Sequence, residues 1–141
     1  MSSETLLSLA LLLPIIGALA VAILNKQKIL SEIVLVLVTL ALLAVIAALV
    51  PLVMAGSRPS LYLFEFIPGL SFAFEIEPLG MLFALVASFL WVITTIYTLG
   101  YLTPNKTPQQ LRFHICFCLA LSCTIGIAFA GNILTLFFFY E

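Results

Sequence analysis

The apolar residues of this chain fall in long unbroken runs, and the length of those runs fixes the solvent they need. Residues 5–24, 33–55 and 78–102 contain no charged side chain. Each run is close to the 20 or so residues with which a helix crosses a hydrocarbon core roughly 30 Å thick. A fourth apolar stretch occupies residues 113–140. Pro14 inside the first run removes one backbone hydrogen bond, a loss that membrane helices tolerate where neighbours or local adjustment repair it. Pro78 suits the first position of its helix, where the missing N–H costs nothing.

The fourth stretch needs closer reading, because it contains the turn-favouring pair Gly131-Asn132. A break there gives a fourth helix over 113–130 and a fifth that starts near 132. One long tilted helix with Glu141 in the headgroups is the alternative that local signals leave open. The connection over 56–77 has a different pattern. Residues 60–66 and 70–76 read as strands, with Tyr62, Phe64 and Phe66 alternating on one face. In the second strand Leu70, Phe72, Phe74 and Ile76 alternate with Ser71, Ala73 and Glu75. Ile67-Pro68-Gly69 supplies the turn, with proline at a corner and glycine where a positive φ is expected. The predicted fold class is therefore an all-α integral membrane protein: four transmembrane helices, the start of a fifth, and an outer β-hairpin between helices two and three.

Composition agrees with that reading. Hydrophobic residues make up 65% of the 141 residues and charged ones 8%, against roughly 25% charged in a soluble domain. The length leaves no room for a separate soluble catalytic module. The start, Met1-Ser2-Ser3-Glu4, has no basic residue before the first run and does not read as a cleavable signal. The few basic residues set the orientation. Lys26 and Lys28 lie between spans one and two, Lys106 and Arg112 between spans three and four, and only Arg58 on the opposite side. The expectation is a multi-pass protein of the inner (plasma) membrane with its amino terminus outside. Tyr97 and Tyr101 suit the inner interfacial belt. Cys116, Cys118 and Cys123 share one apolar segment; a single helix cannot wrap three thiolates around an ion or bring them to disulfide geometry. They read as packing residues, and Trp91, Thr94, Thr95 and Thr98 likewise as helix-packing groups.

Two titratable residues stand out. If a helix starts at Asn132, nine further residues at about 1.5 Å each carry Glu141 about 14 Å inward. Intramembrane acids are costly and are usually paired, protonated or facing water. Desolvation favours the neutral form and a nearby lysine the charged one. A carboxyl balanced between them can take and release a proton. A natural terminus would add an α-carboxylate at the same depth, so the sequence reads as the amino-terminal part of a longer protein. His114, beside Arg112 at the inner end of span four, is a weaker proton-relay candidate; a plain interfacial histidine is the alternative. Glu65, Glu75 and Glu77 could gather cations, but read more simply as the solvated acids of an outer loop.

Three stretches carry a family resemblance: Glu77-Pro78-Leu79-Gly80, Tyr97-Thr98-Leu99-Gly100-Tyr101, and the run from Gly131 to Glu141 that ends Phe137-Phe138-Phe139-Tyr140-Glu141. In this order they resemble the amino-terminal part of the antiporter-like subunits of Mrp-type cation/proton antiporters, respiratory complex I and related hydrogenases. In that family a glutamate after an aromatic-rich run on the fifth helix belongs to the proton path, and its position here is Glu141. The resemblance implies that residues 1–112 form an amino-terminal three-helix region and that 113–141 opens the first of two inverted repeats. The lysine that pairs with the glutamate would lie beyond Glu141. Glu77 departs from an aspartate that is frequent in the family.

The function implied by the resemblance is that of a proton-translocating subunit of a multisubunit antiporter, most like the Mrp D-type subunit. A proton-pumping subunit of NADH:quinone oxidoreductase or of a related hydrogenase is the alternative, and a small four-span scaffold a further one. The implied partners are other membrane subunits, the lipid bilayer, protons, and sodium or another monovalent cation, with no nucleic acid. No cofactor or metal is expected, because the chain has no nucleotide loop, iron–sulfur ligand set or haem-ligand pair. For the same reason, and with its one histidine at a helix end, a quinone-facing oxidoreductase subunit fits poorly.

Overall fold

The computed structural model describes residues 2–105 and 109–141; Lys106, one of the residues used for orientation, lies outside them. The elements run α1 (Ser3–Ile23), α2 (Lys28–Met54), β1 (Ser60–Ile67), β2 (Leu70–Glu75), α3 (Pro78–Asn105), α4 (Gln110–Ala128) and α5 (Ile133–Tyr140). The first four helices are long and apolar enough to cross a membrane, and the chain is a multi-pass membrane protein. Ser2 caps α1 by accepting the Thr5 N–H, with Glu4 in the first turn where the helix dipole favours an acid. Pro14 is buried inside α1 without ending it.

α2 begins at Lys28, more than a turn before the apolar run that starts at 33, and α4 begins at Gln110, before the run at 113. Hydropathy marks where a helix enters lipid, whereas the backbone hydrogen-bond ladder continues through polar residues at its ends. α2 buries Ser31, Leu35, Thr39, Leu42, Ile46, Leu49 and Val53, a stripe spaced by threes and fours. α1 packs against α2 and α4, and α3 packs against α2 and, over a smaller area, α4. The four spans therefore close a ring. Its interior carries small and hydroxyl-bearing groups, among them Thr39, Ser88, Thr95 and Ser122. The outward faces are large and apolar, for example Leu82, Phe83, Phe89 and Ile93 of α3. Between helices already surrounded by lipid, close approach and satisfied hydroxyls do the packing. Gly17 shows the fit: a Cβ there would come within 2.7 Å of the Val38 side chain.

The packing expectations hold in part. Thr95, Thr98 and Cys118 are buried, but Thr94, Cys116 and Cys123 face outward. The Thr94 hydroxyl donates to the Leu90 carbonyl of its own helix at 2.8 Å. Tyr97 and Tyr101 stack on each other on the exposed side of α3.

The hairpin is antiparallel and turns at Pro68-Gly69, with Gly69 at φ +93°. Proline in the first corner and a positive-φ glycine in the second is the chemistry of a type II turn. β1 is two residues longer than β2, and its register shifts between Tyr62 and Phe64 and again between Glu65 and Ile67. These bulges change the expected alternation. Tyr62 pairs with Ala73 but Phe64 with Phe72, so Tyr62 and Phe64 lie on opposite faces of the ribbon. Phe64 and Phe66 gather with Phe72, whose ring stacks on Phe64 at 5.8 Å between centroids. Phe72, Phe74 and Ile76 enter the core beside Leu7, Leu11 and Phe129.

Candidate functional site

The fourth and fifth helices part at the pair picked out by turn chemistry, and the break is built from polar groups. Phe129 closes α4, and Asn132 caps α5: its Oδ1 accepts the Thr135 N–H at 2.9 Å and the Thr135 hydroxyl at 2.8 Å. The remaining polar groups go to β2. Gly131 N–H donates to the Ala73 carbonyl at 2.9 Å, and Glu75 N–H to the Phe129 carbonyl at 2.9 Å. Ala73 N–H donates to the Thr135 hydroxyl at 3.1 Å, and Asn132 Nδ2 donates to the Ser71 carbonyl. The free edge of β2 is thus sealed by the helix break. Backbone groups buried without partners cost as much as a lost hydrogen bond, so each side of this junction completes the other.

From the break, α5 turns back beside α4. Gly126 of α4 makes room for the Phe139 ring; a Cβ there would lie within 2.6 Å of Phe139 Cγ. Phe139 also meets Phe72 and Phe74, and Phe138 meets Phe72 edge-on at 5.1 Å. The aromatic run therefore glues α5 to the hairpin on one side and α4 on another. Glu141 follows the last helical residue, its N–H bonded to the Phe137 carbonyl at 3.0 Å. It borders an apolar cleft of about 520 Å³ with Phe66, Ile67, Leu70, Leu134 and Phe137. Glu141 has no ion-pair partner among the described residues.

His114 lies at the other end of α4, and Arg112 beside it is exposed while the imidazole is not. The ring is 3% exposed, and neither nitrogen has a hydrogen-bond partner among the described residues. A buried polar group in that state costs about 1–3 kcal/mol. The ring borders a cavity of about 230 Å³ with Asn25, Lys28, Ser31, Glu32, Gln110 and Leu111. Gln110 Nε2 donates to Glu32 Oε1 at 3.2 Å, which ties α4 to α2 across the cavity. Sequence reasoning misses Glu32, although a signal for it exists: Lys28 and Glu32 are four apart on one helix face, one turn before the buried Leu35.

Glu141 and His114 belong to separate places, one beside the hairpin and one at the opposite end of the bundle. Of the loop acids, Glu75 faces Arg58 at 3.9 Å, and both side chains reach solvent. No group of three His, Cys, Asp or Glu side chains converges on a metal-sized site among the described residues.

No model of a known protein family matches the chain. It is similar to Na(+)/H(+) antiporter subunit A1 of Staphylococcus aureus, with 27% identity over 141 aligned positions that take in 97% of this chain and 17% of the relative. The protein of the same name from the bovine strain RF122 / ET3-1 is 30% identical over 73 residues, 52% of this chain and 9% of the relative. The chain thus spans well under a quarter of the length of these relatives. Among solved structures, it superposes on a chain of the membrane-bound sulfane sulfur reductase, an archaeal respiratory membrane complex, with a TM-score of 0.76 and 24% identity. That match covers 98% of this chain and 28% of the other, and it establishes a shared fold.

Proposed function

We propose that the chain, in keeping with its similarity to an antiporter subunit, is part of an antiporter-like subunit and carries part of the proton path of a multisubunit cation/proton antiporter, with Glu141 as the group that takes and releases the proton. The observation that carries this reading is the course of α5. A helix that starts at Asn132 and returns beside Gly126 of the apolar span α4 sets Glu141 on the apolar cleft that it shares with Phe66, Ile67 and Leu70. Nine residues at about 1.5 Å correspond to about 14 Å of depth. A carboxyl at such a depth needs a partner, a proton or water, and exchange among these states is what proton transfer uses.

On the same premise the partners are further membrane subunits, and the exchanged ion is sodium or another monovalent cation. The basic residues Lys26, Lys28 and Arg112 support a cytoplasmic location, at the plasma membrane, for the end away from the hairpin. Single cysteines replacing Gln27 and Ser57 test that orientation. An impermeant thiol reagent should reach position 57 from outside and position 27 only from inside, and the reverse pattern refutes it.

The test of function is Glu141→Gln in the whole subunit, assayed as proton-coupled cation transport in vesicles. Gln keeps size and hydrogen-bonding atoms but cannot carry a proton. Assembly should persist while transport falls about 100-fold, the lower range for a positioned proton-transfer group. Glu141→Asp should keep part of the rate, and Glu65→Gln nearly all of it. Parental transport by an assembled Glu141→Gln subunit overturns the proposal.

A further inference from the structure

We propose that His114 and Glu32 form a second proton-binding site, at the Gln110 end of the bundle, reached by water through the cavity between α2 and α4. Four observations converge on it. The imidazole is almost completely buried, neither of its nitrogens has a protein partner among the described residues, and His114 lines an open space. That space measures about 230 Å³, against roughly 30 Å³ for a water molecule in the liquid. It leads inward from Asn25 and Lys28, which are exposed, to Ser31 and His114, which are not. Finally, Glu32 lines the same cavity and accepts a hydrogen bond from Gln110, one turn before His114 on the same face of α4.

The chemistry selects the ligand. A metal cation would want several converging anionic or imidazole donors, and no such group exists among the described residues; Lys28 on the same cavity would oppose it. An anion would meet the Glu32 carboxylate. A proton meets neither objection. A hydronium ion in the cavity gives one proton to the unprotonated ring nitrogen and becomes water; the imidazole becomes imidazolium, and its charge is offset by Glu32. The reverse step returns the proton.

The charged surroundings can be read off the elements packed around the ring. From α2 come Lys28 and Glu32, and from α4 itself Arg112, exposed, and Cys118, one turn on. The adjoining loop carries Lys26. The α1 segment packed there carries no titratable side chain, and the last described tyrosine on α3, Tyr101, stacks on Tyr97. Glu32 is thus the one acid at this end of the described bundle. The site stands apart from Glu141: its cavity shares no lining residue with the cleft that Glu141 borders. It does not depend on the role proposed for that carboxyl.

The test is nitrogen-15 NMR of the ring-labelled histidine in the whole subunit, reconstituted in lipid vesicles. The His114 signal is identified by its loss in His114→Gln. It should show magnetisation transfer from water and pass between neutral and charged forms within about pH 5–8, the range in which imidazole works as a switch. Glu32→Gln should lower the charged fraction at a fixed pH at least about threefold, since an opposite charge on the same cavity favours imidazolium. Glu141→Gln should leave the signal unchanged, which separates this site from the transport reading. A parental ring that stays in one neutral form across that range, or that has no water contact, overturns the proposal without recourse to any variant. An unchanged charged fraction in an assembled Glu32→Gln subunit removes Glu32 from it.

Discussion

At the hairpin end of the bundle, the side chains of Asn132 and Thr135 are hydrogen-bonded at every polar atom. At the Gln110 end, His114, buried like Thr135, has no protein partner at either nitrogen among the described residues. Both lie in an apolar chain where an unpartnered polar atom is expensive, so the contrast carries information. Polar atoms that satisfy one another hold elements in place, and removing one of them orphans the rest. Polar atoms left open beside a cavity are completed by something that comes and goes. The first arrangement explains why a strand edge and a helix start stay together, and the second suggests where solvent enters.

This contrast can be broken by mutation. The largest effect is expected at Asn132→Ala, which leaves the Thr135 N–H and hydroxyl and the Ser71 carbonyl without their partner. With loss of the helix cap, this should destabilise the fold by about 2–4 kcal/mol in a mixed-micelle unfolding titration. A change below about 1 kcal/mol would mean that the break does not hold the hairpin. Gly69→Val should come next, at about 1 kcal/mol or more, because a β-branched residue resists φ of +93°. A neutral result there would show that the turn refolds without cost. The smallest effect belongs to His114→Leu, which removes no hydrogen bond found among the described residues. With water completing the ring in the parent, so that the cost of an unpartnered imidazole is not incurred, the same titration should move by less than about 1 kcal/mol in either direction. If it moved as far as in Asn132→Ala, His114 would be a structural group and the difference between the ends would vanish.

Much of the fold was legible because membrane helices announce themselves by length. The four spans, the break at Gly131-Asn132 and the turn at Gly69 all follow from residue chemistry next to the feature itself. The misses have a common cause: they depend on what an element meets, not on what it is made of. Nothing in Ser71 or Ala73 shows that their backbone groups bond residues some 60 positions later. The bulges in β1 that separate Tyr62 from Phe64 reflect the pairing of eight residues against six. His114 reads as an interfacial residue because hydropathy places it at the edge of a run, whereas α4 starts a turn earlier and turns the ring inward. Glu32 was hidden in the same way, by a helix that begins before its apolar stretch. The aromatic seating of α5 on the hairpin was hidden too, because it depends on which residues of β2 the run meets.

The seam between β2 and the helix break also has a mechanical meaning. Because the strand is bonded to both Phe129 and Gly131, and to the side chains of the next helical turn, the start of α5 cannot swivel by itself. Any tilt of that helix must drag the ribbon with it, like an arm bolted to its bracket. A displacement at the Glu141 end would then be felt at the Pro68-Gly69 tip, on the rim of the molecule. The tip is a natural place for a spin label or a fluorophore that reports movement at depth.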